Sequence, residues 1–366
     1  MPLAATVPSV AGETRRRAAR SRVLLVALGG SALLAGLDAA LVRLEVWAPV
    51  VATRLGDVHG QVMVLGFLAT LISLERAQSL GRAWAYLAPG LYGVGALALV
   101  SPVPTLVGQL LQAEAGVLFV AVCVALWRRA PRPLVAAQAL SAVLALGGAA
   151  VAAAVDVPHA LPWLIGFVVV TIAAERAELA ALTMGDAADR HLLALASALT
   201  LAILTALLAP AIGERLVGLS LLAIAGWLVA HDVVRRQLGL AGQRRYLAAA
   251  LLVGYANLAL AGGVLAAVGL LSGPGTYDVV VHGVFLGFGV SMVMAHAPVI
   301  LPAVLGRPLP YRPVLWAPLV LLQAGLAVRF GGALTGATVL WQVGGVLTVL
   351  AMLGFMVTAL ALVVRR

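Results

Sequence analysis

Three of the six histidines in this chain open a shared pattern. His59 begins HGQVMVLGFLATLISLERA, His159 begins HALPWLIGFVVVTIAAERA, and His282 begins HGVFLGFGVSMVMAHAP. Each follows an Asp-Val pair, at Asp57, Asp156 and Asp278, and each leads to a Gly-Phe pair, at Gly66, Gly166 and Gly287. The first two copies, offset by 100 residues, close on Glu75-Arg76 and Glu175-Arg176. The third has His296 where the others have Glu. Apolar helices share composition, but composition does not supply a repeated Asp-Val, a following histidine and a doubled Glu-Arg-Ala. The pattern reads as an internal repeat.

A histidine inside a membrane span costs free energy unless it is paired or ligated. Neutral imidazole is the commonest metal ligand. Two of them on facing helices can hold a haem iron from both sides, and imidazole suits copper as well. The plainer reading is a bond to a backbone carbonyl or a lipid headgroup, and His159, between Pro158 and Pro162, fits that best. His282 and His296 are 14 residues apart. On an unbroken α-helix they share a face, about 21 Å apart, so they would serve two sites. His159 and His296 are therefore separate metal candidates. Met292 and Met294, beside His296, are soft ligands or core filler. His191 and His231, beside Arg190 and Asp232, read as solvated boundary residues.

Glu75, Arg76, Glu175 and Arg176 have two readings. They are snorkelling pairs that end a span, or they form a proton route or a propionate anchor. Glu114 shares a polar stripe with Gln109 and Gln112, and it marks either a proton route or a helix–helix bond.

These residues need spans to carry them. The 366-residue chain is 63% hydrophobic and 10% charged, with a mean hydropathy of +1.08. Soluble domains carry about 25% charged residues. Apolar runs of about 20 residues match the bilayer core. Twelve spans fit, near 22–43, 57–79, 83–102, 104–127, 133–155, 158–181, 191–211, 214–234, 246–272, 278–304, 313–332 and 338–363. The fold class is all-α: one transmembrane domain over 22–366, in three four-helix pseudo-repeats. The copied helices are 57–79, 158–181 and 278–304. Residues 1–21 form a flexible cytoplasmic N-terminus.

The net charge of +10 sits in short loops, which excludes a nucleic-acid partner and makes the lipid bilayer the surrounding one. The arginine clusters place both termini in the cytoplasm, with Arg43, Arg54, Arg215 and Arg329 on the outer side. The histidines then lie near the outer face, with Asp57, Asp156 and Asp278 as helix caps. Cys123 is the single cysteine, so neither an intrachain disulfide nor a cysteine metal cluster forms.

This layout resembles the catalytic subunit of the haem-copper oxidases, with twelve spans in three arcs and haem ligands on helices 2 and 10. His59 and His282 match those helices. It is more similar to the NnrS family of haem- and copper-containing membrane proteins. The likeness lies in His59 with Gly66-Phe67, and in the stretch from His282 through its Gly/Met-rich run to the closing Gly306-Arg307-Pro308. The resemblance implies haem b held by His59 and His282, with copper or a second haem left open. It also implies a bacterial-type inner membrane, a redox partner protein and a small gas ligand such as nitric oxide. The chain departs from the oxidases in lacking a His-His pair, so a complete oxygen-reducing centre is not evident. The expected function is electron transfer or nitric oxide metabolism. The alternatives are a secondary transporter or proton-coupled permease, and a non-enzymatic membrane-anchoring subunit.

Overall fold

The structure is a computed structural model, and it describes residues 10–51, 53–185, 187–269, 273–305 and 308–364. Among the described residues there are helices and no strands. Twelve helices are long and apolar enough to cross a membrane. Spans 1 to 6 are Ser21–Arg43, Arg54–Leu80, Ala83–Val100, Thr105–Arg129, Pro133–Ala154 and Val157–Leu179. Spans 7 to 12 are Ala187–Leu208, Pro210–His231, Gln243–Val268, Pro274–Pro298, Pro313–Thr335 and Thr338–Val364. The ends follow local chemistry. Pro133, Pro210 and Pro274 start helices, where their missing N–H costs nothing. Gly81 and Gly336 end helices in the left-handed conformation that glycine adopts without strain.

Each span packs on the next in chain order, and span 12 returns to span 1. Spans 2, 6 and 10 also touch one another. They are the most enclosed: 61, 72 and 83% of their apolar windows are buried, against 28 to 50% elsewhere. The glycine of each Gly-Phe pair explains this centrality. A methyl at Gly66 would lie 2.5 Å from Ala96 Cβ, one at Gly166 2.6 Å from Ile203 Cδ1, and one at Gly287 2.5 Å from Asn257 Cβ. At Gly66 and Gly287 a neighbouring helix comes too close for a side chain, and at Gly166 the ends of the Ile203 and Leu144 side chains fill the space. Phe67, Phe167 and Phe288 beside them are buried.

Spans 2 and 10 are not continuous α-helices. Val62–Leu68 and Gly283–Val290 are π-helix, each beginning just after the histidine and covering the Gly-Phe pair. Such segments concentrate at functional sites, because the wider turn re-aims the side chains around it. Span 6 has no such segment and runs as α-helix from Val157 to Leu179.

Two expectations are corrected here. The π-helix lies between His282 and His296, so the unbroken-helix phase argument for those two does not hold. Only Asp156 caps a helix, accepting from the His159 backbone N–H at 2.8 Å. Asp57 and Asp278 lie inside helices that begin at Thr53 and Pro274. Arg329 lies within span 11, as its expected bounds have it, and is buried there. The first helix runs from Val10, and residues 1–9 lie outside the described ones. Gly306 and Arg307 of the closing motif are also outside the described residues, as are Arg365 and Arg366.

Candidate functional site

The central helices carry polar side chains in two layers, one at the histidines and one at the Glu-Arg pairs. The histidine layer comes first in spans 2 and 10. His59 is half-buried, and its Nδ1 lies 2.9 Å from the Gly36 carbonyl of span 1. His282 Nδ1 lies 3.0 Å from the Asp278 carbonyl and 3.3 Å from its carboxylate Oδ1. A carbonyl only accepts, so both Nδ1 atoms carry a proton, and each ring in its neutral form keeps its lone pair on Nε2. Among the described residues neither Nε2 has a hydrogen-bond partner. The two rings lie within electrostatic reach of each other, and of Arg43 and Arg329. An imidazole with Nδ1–H pinned to a carbonyl and Nε2 free is oriented as metal-bound histidines are.

Asp278 is itself held. Arg329 donates Nε to Oδ2 at 2.8 Å and Nη2 to Oδ1 at 2.7 Å, a bidentate pair with both partners buried. The guanidinium lies over the Trp341 ring, 5.5 Å from its centroid. Spans 10, 11 and 12 thus brace the helix turn that presents His282.

His159 is not brought into this pair. Its side chain is 61% exposed, and its Nδ1 lies 2.7 Å from Asp156 Oδ1. The Asp156 carboxyl is held below its ordinary value, first by the His159 backbone N–H. Among the described residues no three His, Cys, Asp or Glu side chains gather into a metal-binding group.

The second layer joins the Glu-Arg pairs. Arg76 reaches Glu75 at 3.0 Å, Glu178 at 3.4 Å and Glu175 at 3.6 Å. Gln138 donates to Glu178 Oε2 at 3.0 Å. Arg176 takes a different set. It donates Nε and Nη2 to Asp232 at 3.0 and 3.1 Å, and Nη1 to His296 Nε2 at 3.1 Å. Tyr255 donates its hydroxyl to the same Asp232 carboxylate at 2.7 Å. Arg76 and Arg176 are both buried, which removes the snorkelling reading. Arg76 of span 2 faces Glu175 of span 6, and Arg176 of span 6 faces His296 of span 10. His296 Nε2, having accepted from a guanidinium, has no lone pair left for a metal.

Beside Arg76 lies a cavity of about 10 Å³, room for one water, lined by Ile72, Phe119, Cys123, Gln138, Ser141 and Thr171. Glu114 is not part of either layer. It is exposed at mid-span with no ion pair or hydrogen bond among the described residues, and Gln109 bonds the Ala152 carbonyl instead. His191 and His231 are exposed beside each other, with ring centroids 6.1 Å apart.

Sequence reasoning missed Asp232, Tyr255, Glu178 and the Asp278–Arg329 pair. A signal existed for the last: a lone carboxylate and a lone guanidinium in successive apolar spans need each other.

No curated protein and no solved structure matches the chain. The family described as a domain of unknown function (DUF8744) matches residues 22–364, and the chain belongs to it.

Proposed function

For this member of that family, we propose a haem-binding integral membrane protein of haem-copper-oxidase-like layout. It would work in electron transfer or nitric oxide metabolism. His59 and His282 would hold one haem b between spans 2 and 10. The observation that carries this reading is the pair of Nε2 lone pairs, each on a ring fixed through Nδ1–H to a backbone carbonyl. A bis-imidazole haem supplies one-electron transfer. The chain's own residues set its orientation and surroundings. Gly36 fixes the His59 ring. Asp278, clamped by Arg329, fixes the His282 ring and adds electron density to it. The π-helices beneath both histidines support the same pairing, since span 6, whose histidine points to solvent, has none.

The threefold repeat belongs to this proposal. Its support is the central packing of spans 2, 6 and 10 and the equivalent glycines. The step from each arginine to the next copy adds to it. The cytoplasmic placement of both termini, and the inner membrane, rest on the arginine-rich loops. The Glu-Arg layer is assigned to proton entry rather than to propionates. Arg76 is 17 residues beyond His59, about 25 Å along the span, too far for a group held at the histidines.

The test is the visible spectrum of the purified protein, wild type against His59→Ala and His282→Ala. Wild type should show a low-spin haem that acid acetone extracts, since there is no Cys-x-x-Cys-His for covalent attachment. Each variant should lose the haem or change its spin state. A wild-type protein that stays colourless after haem reconstitution ends the proposal and leaves the transporter reading. Unchanged spectra in both variants would also end it.

A further inference from the structure

Where spans 2 and 4 end and span 3 begins, the structure has an open cleft of about 490 Å³. It is lined by Leu80, Arg82, Trp84, Ala125 and Arg129. The cleft is built on its own small core of Ala77, Ala85 and Val122, with Leu80, Tyr86 and Leu126 packed against it. Tyr86 donates its hydroxyl to Gln78 at 2.7 Å, which ties the turn Ala83–Tyr86 to span 2. The walls are therefore fixed without a ligand.

The charges in this cleft differ from those nearby. Arg132, across the next loop, donates to Asp189 at 2.8 and 3.0 Å. Arg76, one turn into the span, is surrounded by carboxylates. Arg82 and Arg129 have no hydrogen bond or ion pair among the described residues, and no carboxylate lines the cleft. Trp84 is 40% exposed beside them. All five residues stand at a span end or within a turn of one, where a membrane-spanning bundle meets lipid headgroups. Two uncompensated guanidinium groups suit a phosphodiester, an indole suits the interface, and Leu80 and Ala125 suit the glycerol and upper acyl chain.

We propose that this cleft binds the headgroup of an acidic phospholipid. The proposal is independent of the haem. The test uses the full chain in phosphatidylcholine vesicles, with brominated phosphatidylglycerol or brominated phosphatidylcholine added. Bromine quenches indoles that it touches, and the difference between wild type and Trp84→Phe isolates Trp84. The acidic lipid should half-quench Trp84 at roughly thirtyfold lower mole fraction than the zwitterionic one, as two interfacial cations would give. Arg82→Gln with Arg129→Gln should erase that preference, and the lysine pair should retain it. Equal quenching of wild type by the two lipids would overturn the proposal. So would loss of the preference in millimolar inorganic phosphate, which would make the site one for free phosphate. Wild type alone decides the matter if a variant fails to fold.

Discussion

At the Glu-Arg layer, each donating nitrogen of Arg176 named above ends on a protein partner: two on Asp232 and one on His296. At the histidine layer, His59 and His282 each spend one nitrogen on a carbonyl and leave the other free. The same helices carry both layers, so the contrast is not one of burial alone. A closed polar network inside a bundle fixes the packing of the helices that it joins. An imidazole oriented by one nitrogen and open at the other is prepared for something not encoded in the chain. His296 and His282 show the difference on one span. His296 is consumed by a guanidinium from span 6, and His282 is presented by an arginine that holds its neighbour Asp278.

The closed layer predicts the largest loss of stability. Asp232→Ala leaves the Arg176 guanidinium buried without a counter-charge and removes the acceptor of Tyr255. Breaking a buried pair from one side costs about 3–5 kcal/mol. Unfolding in mixed micelles should show that loss, with Asp232→Asn milder because one acceptor oxygen remains. If Asp232→Ala instead unfolds like wild type, Arg176 is not closed by this pair and the contrast between the layers fails.

A smaller effect separates the three copies at their glycines. Gly66→Ala drives a methyl toward Ala96, and Gly287→Ala toward Asn257, which is held by Gln323 and the Val253 carbonyl. Overpacking of this kind costs about 1–3 kcal/mol. Gly166→Ala meets the Cδ1 end of Ile203, which can swing aside, so it should cost least. Thermal midpoints of the three variants rank them. A different order would mean that the approaches at Gly66 and Gly287 are no tighter than the one at Gly166.

The twelve spans were legible because the bilayer demands long apolar runs, and every expected span has a helix over it. The repeated histidines and glycines were legible as a pattern. The partners were not. Asp232 is 56 residues from Arg176 and His296 is 120, and pattern reading sees only local spacing. Asp232 enters the sequence reading only as the neighbour of His231, itself read as a solvated boundary residue. Arg329 falls in its expected span, near the outer end, but its partner Asp278 is 51 residues away. The π-helices were invisible for a different reason. Their residues are apolar on every side, so no periodicity distinguishes a wider turn from an α-helix.

The smallest effect tests whether His159 belongs with the other two histidines. In this structure it serves a cap: Asp156 accepts from its backbone N–H, and its Nδ1 lies 2.7 Å from the same carboxylate oxygen. Asp156→Ala should therefore cost about 1 kcal/mol, as lost caps do. Asp156→Asn should cost less, because the amide oxygen still accepts. The acid dependence follows from the depressed Asp156 carboxyl. A carboxylate lowered by folding contributes fully above its unfolded value, near ~3.9, and loses that contribution as pH falls through the folded value. Wild type should then lose a little more stability than Asp156→Asn on acidification below about pH 4. Neither variant, nor His159→Ala, should change the visible spectrum of the haem-loaded protein. A spectral change in His159→Ala would place that ring among the ligands and undo the division between a free pair and a capped third.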